Sequence, residues 1–526
     1  MIERATVAVV GAGPTGVTAA TLLAQQGVDV LVLDRYPDVF PRPRAVHLDD
    51  EVYRILARMG VGAEFAAISR PAKGLRLLDA DSRVLAEFAR STAAGIHGFP
   101  QASMFDQPEL ERLLRANLAR RPSARLRGNV EVTGIVRHAT AGHGRVTVEL
   151  TDLATGRSDA VLADYVLGCD GANSAVRDAI GVRMAGLGFE QRWLVVDIAT
   201  DTDLGQWDGV HQVCSPRRAA TYMRIGADRY RFEFQLLDGE SAADFSSVPA
   251  LQPLLRPWIG ADPTRVGLQL VRVAEYTFQA RVAQRWRAGP IFLLGDAAHL
   301  SPPFIGQGLG AGLRDAANLA WKLTAVLRGV LPESDLDSYQ AERRPHARTM
   351  IRRAMAIGWV MTGAGRAGDL LRSTLLPRIH RLPGIERIIE SPTPPLRRST
   401  LVRPAPLRRG LAGRLCPNAV LEPSGRFDDR AGGRFALLTD LPVGPDALRA
   451  AEQADVTVLR VDPSDRLGQW LASGDARAAL VRPDGTVLVA ASTIGRAMAP
   501  LLAARRRSRA AGSRGPDSAG AAVRRP

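Results

Sequence analysis

Cysteine and long apolar runs are scarce in this chain of 526 residues. The only cysteines, Cys169, Cys214 and Cys416, are too few and too far apart for a disulfide framework or a metal site. No apolar run of 18 or more residues is free of charge, which argues against a membrane-spanning helix. The first residues show no signal-peptide pattern, so we expect a cytoplasmic protein without a membrane partner.

Lysine is scarcer still, because only Lys73 and Lys322 contribute to the 69 basic residues. The net charge of +15 therefore comes almost wholly from arginine, which is spread along the chain and not clustered with aromatic residues. We expect no nucleic-acid partner from such a distribution. The segment 505–526 holds seven arginines and one acid and is rich in Ala, Gly, Ser and Pro. This composition predicts a disordered basic tail, with weak contact to acidic partners as the alternative.

What the chain does contain is a glycine-rich turn near its start. The turn reads GAGPTG and supplies Gly11, Gly13 and Gly16 in the spacing G-x-G-x-x-G, between an apolar strand pattern and a helical one. These glycines permit a tight turn, close approach to a pyrophosphate and close helix packing, while the helix N-terminus faces the phosphate. Asp34 ends the next strand, where an acid binds ribose hydroxyls. The pattern predicts an adenine dinucleotide and leaves FAD and NAD open.

Two later stretches narrow this choice. They read CDGANSAVR at 169–177 and GDAAH at 295–299. With the glycine turn, and in this order, they make the chain similar to the single-component FAD-dependent aromatic hydroxylases, the family of p-hydroxybenzoate hydroxylase and phenol hydroxylase. Within that family the chain most resembles 3-(3-hydroxyphenyl)propionate hydroxylases and polyketide hydroxylases. The resemblance extends from residue 1 to about residue 500.

The resemblance implies a set of FAD contacts beyond the glycine turn and Asp34. They are Arg44, Gln107, Asp170, Gly171, Gly295, Asp296, Pro303, Gly306, Gly308, Leu309 and Gly310. Asp170 and Gly171 would lie at the pyrophosphate, and Gly295 and Asp296 at the ribityl chain. Gly310 departs from the family, which commonly has asparagine at this position, so we expect hydrogen bonds to the flavin here to come from backbone N–H groups.

The resemblance also implies a reaction. NADH or NADPH would reduce FAD, and a flavin C4a-hydroperoxide would transfer one oxygen atom from O₂ to a phenolic ring. The expected substrate is a phenolic acid of the 3-(3-hydroxyphenyl)propionate type, and the first alternative is a polycyclic polyketide or antibiotic. The sequence is also compatible with a flavin oxidoreductase that inserts no oxygen and with a non-catalytic flavin-binding protein. The second G-x-G-x-x-G, GAGRAG at 363–368, follows a helical pattern and not a strand, so it predicts no separate nicotinamide domain, as expected where the nicotinamide co-substrate binds transiently.

No residue is predicted firmly as catalytic, and no metal is expected. His47 is a candidate base, because it follows the predicted flavin-contacting arginine, although a structural histidine at a helix start is the alternative. Tyr222, Arg224 and Gln235 are candidates to line the substrate pocket, and Arg224 is predicted to pair with a substrate carboxylate.

The predicted fold class is α/β, with a FAD-binding Rossmann-like domain, an inserted antiparallel-sheet substrate domain and a thioredoxin-like C-terminal domain. The C-terminal domain lacks a Cys-x-x-Cys pair, so we expect it to have a structural role or to form a homodimer contact. The predicted boundaries are 1–185 and 279–364 for the FAD-binding parts, 186–278 for the substrate sheet, 365–400 for a linker, 401–500 for the C-terminal domain and 505–526 for the tail.

Overall fold

The computed structural model describes residues 2–40, 44–138, 145–215, 217–259, 266–363, 368, 374, 393–404, 410–421 and 425–512. The chain forms two compact units. The first comprises Met1–Thr21, Asp29–Arg314 and Ala347–Pro394, and the second comprises Leu22–Val28, Asp315–His346 and Pro395–Pro526. Helices and sheets are both well represented, so the fold is of the mixed α/β class.

The strands of the first unit build three sheets. In chain order they are β1 (Glu3–Val10), β2 (Val30–Leu33), β3 (His47–Asp49), β4 (Ser69–Pro71), β5 (Gly74–Leu78), β6 (Val84–Ala89), β7 (Ala102–Phe105), β8 (Ala124–Arg127), β9 (Val130–Arg137), β10 (Val146–Asp152), β11 (Ser158–Gly168), β12 (Met184–Ala199), β13 (Val210–Val213), β14 (Ala220–Arg224), β15 (Arg229–Gln235), β16 (Gln269–Ala283), β17 (Arg287–Ala288), β18 (Ile291–Leu293) and β19 (His299–Leu300). The α-helices up to residue 362 are α1 (Pro14–Ala24), α2 (Asp50–Arg58), α3 (Gly62–Ile68), α4 (Gln107–Ala119), α5 (Ala175–Ala179), α6 (Val248–Ile259), α7 (Gly308–Leu327) and α8 (Asp337–Thr362).

The first sheet carries the glycine-rich turn and is mainly parallel. Its strands lie in the order β17-β18-β11-β1-β2-β8, and β10 and β9 extend it from β11 as an antiparallel branch. β1 pairs in parallel with β2 and β11, and β11 pairs in parallel with β18. Val7, Ala8 and Val9 of β1 are fully buried, as a continuous apolar run predicts for a parallel strand covered on both faces.

The second sheet lies in the order β19-β16-β12-β15-β14-β13-β5-β6 and is antiparallel except where β13 meets β5. Successive side chains of a strand point to opposite faces of its sheet. On β15, Tyr230, Phe232 and Phe234 belong to a hydrophobic core on one face. Arg231 and Glu233 therefore occupy the other face. A small third sheet has the order β3-β7-β4.

The second unit contains one four-stranded sheet of β20 (Phe435–Thr439), β21 (Val456–Arg460), β22 (Ala478–Val481) and β23 (Val487–Ala491). Its further helices are α9 (Phe427–Ala431), α10 (Pro445–Gln453), α11 (Arg466–Ser473) and α12 (Ile494–Gly512). The strand order is β21-β20-β22-β23, with β20 and β21 parallel and the other pairs antiparallel. A βαβ unit is thus followed by a hairpin and a helix, a topology that supports the thioredoxin-like assignment, which stays a prediction.

Two predicted boundaries need correction. The second sheet is not confined to 186–278, because β5 pairs with β13 and brings β6 with it. The segment from 505 is helical as far as Gly512, since Arg505 donates to the carbonyl oxygen of Gln453 at 3.1 Å and Ser508 donates to that of Gly329 at 2.7 Å. The rest of the predicted tail, and most of the predicted linker, lie outside the described residues. Among the residues described, none of the helices has both the length and the apolar character needed to cross a membrane.

Candidate active site

The three sequence motifs meet at one edge of the first sheet. β1, β2, β11 and β18 form a parallel series, so their carboxyl ends share that edge. The residues that directly follow these four strands are Gly11, Asp34, Cys169 and Leu294. The Cys169 N–H donates to the carbonyl oxygen of Val10 at 2.8 Å, which fixes the middle motif beside the glycine turn.

Two glycines of the turn are tightly packed, and the third faces open space. Gly11 has a φ of +100°, and a Cβ there would overlap the carbonyl oxygen of Cys169. A Cβ on Gly16 would overlap the carbonyl oxygen of Gly11. By contrast, a Cβ on Gly13 would meet no atom within 4 Å. The turn therefore leaves a cradle at the N-terminus of α1, which fits the pyrophosphate of a dinucleotide.

Asp34 is placed to reach a ribose. Its Oδ2 accepts from the Ala12 N–H at 2.5 Å and its Oδ1 accepts from the Tyr36 N–H at 2.8 Å. These bonds orient the carboxylate at the end of β2, and each oxygen keeps a further lone pair for a hydroxyl donor. The geometry fits the role expected from the sequence.

The middle motif is a rigid turn. Asp170 accepts from the Ser174 hydroxyl at 2.6 Å and from the Val176 N–H at 3.0 Å. Burial raises the pKa of Asp170, and these two hydrogen bonds oppose the rise. Asp170 thus shapes the turn from within, while Gly171, with a φ of +83°, leaves its surroundings open.

The later motif contributes a buried acid. Gly295 packs against Thr15, since a Cβ there would lie 2.8 Å from the Thr15 hydroxyl oxygen. Asp296 lines a cavity, and burial raises the pKa of this carboxyl, with the charges of His299 and Arg44 opposing.

Gln107 acts on the backbone through its side chain. Its Oε1 accepts from the N–H groups of Arg44 and Ala45 at 2.8 and 2.5 Å, and its Nε2 donates to Glu111 at 2.6 Å. The Arg44 carbonyl oxygen also accepts from Arg231 at 2.9 Å. Gln107 therefore positions the segment at Arg44, and its amide is already engaged.

The N-terminus of α7 forms another wall of the cavity. Gly306 has a φ of +61°, and a Cβ on Gly308 would meet no atom within 4 Å. The first N–H groups of a helix lack partners within it, and the helix dipole favours negative charge there. This end of α7 thus fits the electron-rich edge of a flavin ring.

Gly310, where the family commonly has asparagine, is crowded. A Cβ there would lie 2.9 Å from Arg314 Nη1 and 3.0 Å from Val52 Cγ2. Arg314 has little freedom to withdraw, because it donates to Gln307 at 2.9 Å and pairs with Asp49 at 2.5 Å. Burial would raise the pKa of Asp49, but the Arg314 charge and the hydrogen bonds bring it down to about 2.

Replacing Gly310 by asparagine is therefore expected to reduce stability and FAD binding. We predict that Gly310→Asn lowers the free energy of unfolding by ~1–3 kcal/mol, the usual cost of overpacking, and weakens FAD binding. Denaturant unfolding and flavin titration of the apoprotein measure both effects. Gly495→Asn is the control, because Gly495 has no positive φ and its Cβ would meet no atom within 4 Å. Equal or tighter FAD binding by Gly310→Asn would contradict the steric explanation.

A cavity of about 940 Å³ opens along this edge and beneath the second sheet. This volume lies at the upper end of the ~300–1,000 Å³ typical of small-molecule sites. The predicted cofactor residues that line it are Gly13, Arg44, Gln107, Gly171, Asp296, Pro303, Gly306, Gly308 and Leu309. Those that support the lining without forming it are Gly11, Gly16, Asp34, Asp170, Gly295 and Gly310.

The predicted substrate residues require correction, because Tyr222 and Arg224 lie on the face of β14 that turns away from the cavity. Thr221 and Met223 line the cavity. Tyr222 points into the opposite core, where its ring stacks on Phe232 at 4.4 Å. Arg224 does not line the cavity either and lies 3.6 Å from Asp203.

Gln235 also fails to line the cavity, although it shares a face of β15 with Arg231 and Glu233, which do. Arg231 and Glu233 were not among the predicted site residues. The strand reads RYRFEFQ, and its strict alternation of aromatic and polar residues was the signal that could have identified them.

Arg90 is a further residue that the sequence analysis missed. It lines the cavity, and the described part of the chain offers it no carboxylate at ion-pair distance. The two acids whose charges act on Arg90 are Asp49, which forms an ion pair with Arg314, and Asp50. Burial raises the pKa of Asp50 to about 8, with the charges of Asp49 and Glu51 adding to the rise, so this carboxyl is largely neutral at pH 7. Arg90 therefore presents to the cavity a positive charge that none of the described carboxylates contacts directly.

His47 lines the cavity as well. Its Nδ1 is buried against Gly306 and makes no hydrogen bond of good geometry with the described residues. Burial lowers the pKa of His47, with the Asp49 charge opposing, so the ring is neutral at pH 7. Nowhere in the described ranges do three or more His, Cys, Asp or Glu side chains gather closely enough to hold a metal ion.

Comparisons with known proteins agree with this geometry. The family model described as "FAD binding domain" matches residues 4–354. A probable NADH-specific resorcinol 4-hydroxylase of Rhodococcus jostii is 34% identical over 509 residues, which cover 91% of each chain. A 3-(3-hydroxy-phenyl)propionate/3-hydroxycinnamic acid hydroxylase of Burkholderia vietnamiensis is 35% identical over 449 residues, 83% of this chain and 79% of the relative.

A solved structure is similar over almost the whole length. The ternary complex of aklavinone-11 hydroxylase with FAD and aklavinone superposes with a TM-score of 0.78 at 25% identity, covering 96% of this chain and 99% of the other. The glycine cradle, the acid at the end of β2 and the open N-terminus of α7 fit FAD as the cofactor. The chain belongs to the FAD-binding-domain family, among the FAD-dependent aromatic hydroxylases.

Proposed function

We propose that this protein hydroxylates the ring of a phenolic acid of the 3-(3-hydroxyphenyl)propionate type, with FAD, O₂ and NADH or NADPH. The observation that carries the proposal is the position of Arg90, which lines the cavity without a described carboxylate at ion-pair distance, in a wall that is otherwise rich in apolar side chains. A carboxylate on the substrate would neutralise that charge, and charge-assisted hydrogen bonds to arginine are among the stronger ones. The likeness to the Burkholderia relative supports the same class of substrate.

The cofactor supplies hydride acceptance and activation of O₂ when bound. The chain's own residues would bind FAD and orient its ring. Asp34 would accept the ribose hydroxyls, the N-terminus of α1 at Gly13 would face the pyrophosphate, and Asp296 would accept from the ribityl hydroxyls. The N–H groups at Gly308 would stabilise negative charge at the ring edge. The second sheet would cover the ring and exclude water.

Two further substrates compete with the phenolic acid. Resorcinol is favoured by the likeness to the Rhodococcus relative, and a polycyclic phenol by the likeness to aklavinone-11 hydroxylase. Neither compound carries a free carboxylate of the propionate kind, so neither accounts for Arg90.

The test measures aerobic NADH and NADPH consumption by the FAD-loaded protein. The panel contains 3-(3-hydroxyphenyl)propionate, 3-hydroxycinnamate, resorcinol and polycyclic phenols, and products are analysed by mass for one added oxygen atom. Stimulation and an oxygenated product with the two phenolic acids are expected. Product from resorcinol or a polycyclic phenol alone would replace the proposed substrate, and consumption without any oxygenated product would favour an oxidoreductase that inserts no oxygen.

Replacing Arg90 tests the carboxylate contact. We expect Arg90→Met to raise KM for the phenolic acids about 10- to 100-fold, because hydrogen bonds to charged groups contribute ~1.5–3 kcal/mol. KM for resorcinol should change little, since it has no carboxylate. Arg83→Met, on the exposed end of the β5–β6 hairpin, is the matched control. An equal rise in KM for resorcinol and the acids would assign Arg90 a structural role instead.

A further inference from the structure

We infer that Glu233 is the catalytic residue that accepts the hydroxyl proton of the bound phenol. The inference rests on the proposed function, because it names the partner of the phenolic group in the same cavity. It concerns a carboxyl on the second sheet, on the wall formed by β12, β14 and β15.

The pairing register directs Glu233 into the cavity. On one side it lies opposite Val195 of β12, and on the other opposite Thr221 of β14. Directly paired residues project to the same face of a sheet, and all three of these side chains line the cavity. The flanking Phe232 and Phe234 point into the core on the other face, so the strand has no freedom to present Glu233 elsewhere.

The Glu233 carboxyl has no hydrogen-bond or ion-pair partner among the described residues, whereas the neighbouring Arg231 does. The Glu233 side chain is 7% exposed, yet no donor within the described ranges makes a hydrogen bond or ion pair with its carboxyl. The adjacent Arg231 is committed elsewhere, donating to Asp197 at 2.6 and 3.0 Å and to the Arg44 carbonyl oxygen at 2.9 Å. Buried carboxylates normally accept hydrogen bonds, so this one has its accepting capacity reserved for a ligand in the cavity.

The surroundings of Glu233 strengthen its carboxylate as a base. Burial raises its pKa, the positive charges of Arg231 on β15 and Arg272 on β16 oppose the rise, and the negative charge of Asp197 on β12 adds to it. The β14 neighbour, Thr221, does not titrate in this range. A carboxylate with a raised pKa is a stronger proton acceptor than an ordinary one.

The proton transfer balances without an oxidant or reductant. The phenolic O–H bond breaks, an O–H bond forms on the Glu233 carboxylate, and the electron pair stays on the phenolate oxygen. That pair enriches the ring carbons ortho and para to it, which favours attack by electrophilic oxygen. The proton returns to the oxygen when the product hydroxyl is restored.

The experiment compares the FAD-loaded wild type with Glu233→Gln, Glu233→Asp and the control Glu275→Gln, whose side chain pairs with Arg192 outside the cavity. The readouts are the rate of hydroxylation against pH, the rate of flavin reduction, and the product formed per NADH. We expect Glu233→Gln to hydroxylate about 100-fold more slowly, within the range of general-base catalysis, and to leave flavin reduction nearly unchanged. The wild-type rate should rise with pH through the Glu233 pKa, and this limb should vanish in the glutamine variant and persist, shifted, in Glu233→Asp.

Fluorinated phenolic acids separate catalysis from structural damage. Fluorine lowers the pKa of the phenol, so these substrates ionise unaided and should recover much of the rate lost by Glu233→Gln, whereas damage to the fold would slow them equally. A glutamine variant that keeps the acidic limb and the wild-type rate would overturn the inference, as would equal loss with fluorinated substrates. If the wild type forms product, such a result removes only the role of Glu233; if the wild type oxygenates no phenol, the proposed function fails and the inference with it.

Discussion

Gly16→Ala is expected to leave little folded flavoprotein. Its Cβ would overlap the carbonyl oxygen of Gly11 and lie 3.1 Å from the carbonyl carbon and 3.2 Å from Cys169 Cβ. Two of these atoms belong to the backbone at the end of β1, so no side chain can turn away. Relief requires α1 to move off the sheet, at or above the ~1–3 kcal/mol that overpacking commonly costs.

Gly13→Ala is the matched variant, because its Cβ would meet no protein atom within 4 Å. We expect it to fold like the wild type and to lose FAD affinity, since the methyl group would occupy space reserved for the pyrophosphate. The flavin-to-protein absorbance ratio and the melting temperatures of the apoproteins separate the two outcomes. A soluble Gly16→Ala protein with normal flavin content, or a Gly13→Ala protein that unfolds like Gly16→Ala, would contradict this division of roles.

The part of the site that the sequence predicted depends on local signals. The glycine turn is a continuous pattern of strand, turn and helix, and Asp34 ends the strand after it. The motifs at Cys169 and Gly295 were assigned to the cofactor through the resemblance to a family, and each closely follows a parallel strand whose carboxyl end lies at the same edge. Cofactor binding follows from these motifs because few folds arrange them in that order.

The substrate wall was harder to predict because it depends on which face of each strand is buried. A shift of one residue along β14 exchanges Tyr222 for Thr221, and aromatic character pointed to the wrong one of the two. Tyr222 lies in a hydrophobic core with Phe232 because the β14–β15 pairing aligns the two rings. Arg90 depends on a still more distant contact, the parallel pairing of β5 with β13, which no local pattern reveals.

A buried charge cluster in the second unit is centred on Glu342. Glu342 is fully buried and accepts hydrogen bonds from Lys322 at 2.8 Å, from Arg482 at 3.0 Å, from Asn318 at 2.8 Å and from Ser399 at 2.6 Å. Burial alone would raise the pKa of Glu342, but the two positive charges hold it below its usual range. The sequence offered no sign of this cluster, since its members are scattered from α7 to the hairpin after β22.

Glu342→Gln is expected to lower the free energy of unfolding by ~3–5 kcal/mol, because removing one partner of a buried ion pair leaves an uncompensated charge. Asp484 pairs with Arg482, which leaves Lys322 as the ion without a carboxylate in direct contact. Denaturant unfolding of the FAD-loaded protein measures the loss. Arg434→Gln, which breaks the exposed pair with Asp455, should cost no more than ~1 kcal/mol.

The pH dependence of this loss in unfolding free energy identifies Lys322 as its cause. Burial lowers the pKa of Lys322 to about 8, with the Glu342 charge opposing, so removing this charge must lower the pKa further. Between the variant's pKa and 8 the folded variant has released a proton that its unfolded chain, with an ordinary lysine pKa of 10.5, still binds. The variant therefore gains stability as the pH rises through that interval, while the contribution of Lys322 to wild-type stability stays level. The difference in unfolding free energy between wild type and Glu342→Gln should therefore become smaller toward pH 8. A difference that does not change with pH would mean that lost hydrogen bonds, rather than the buried ammonium, destabilise the variant.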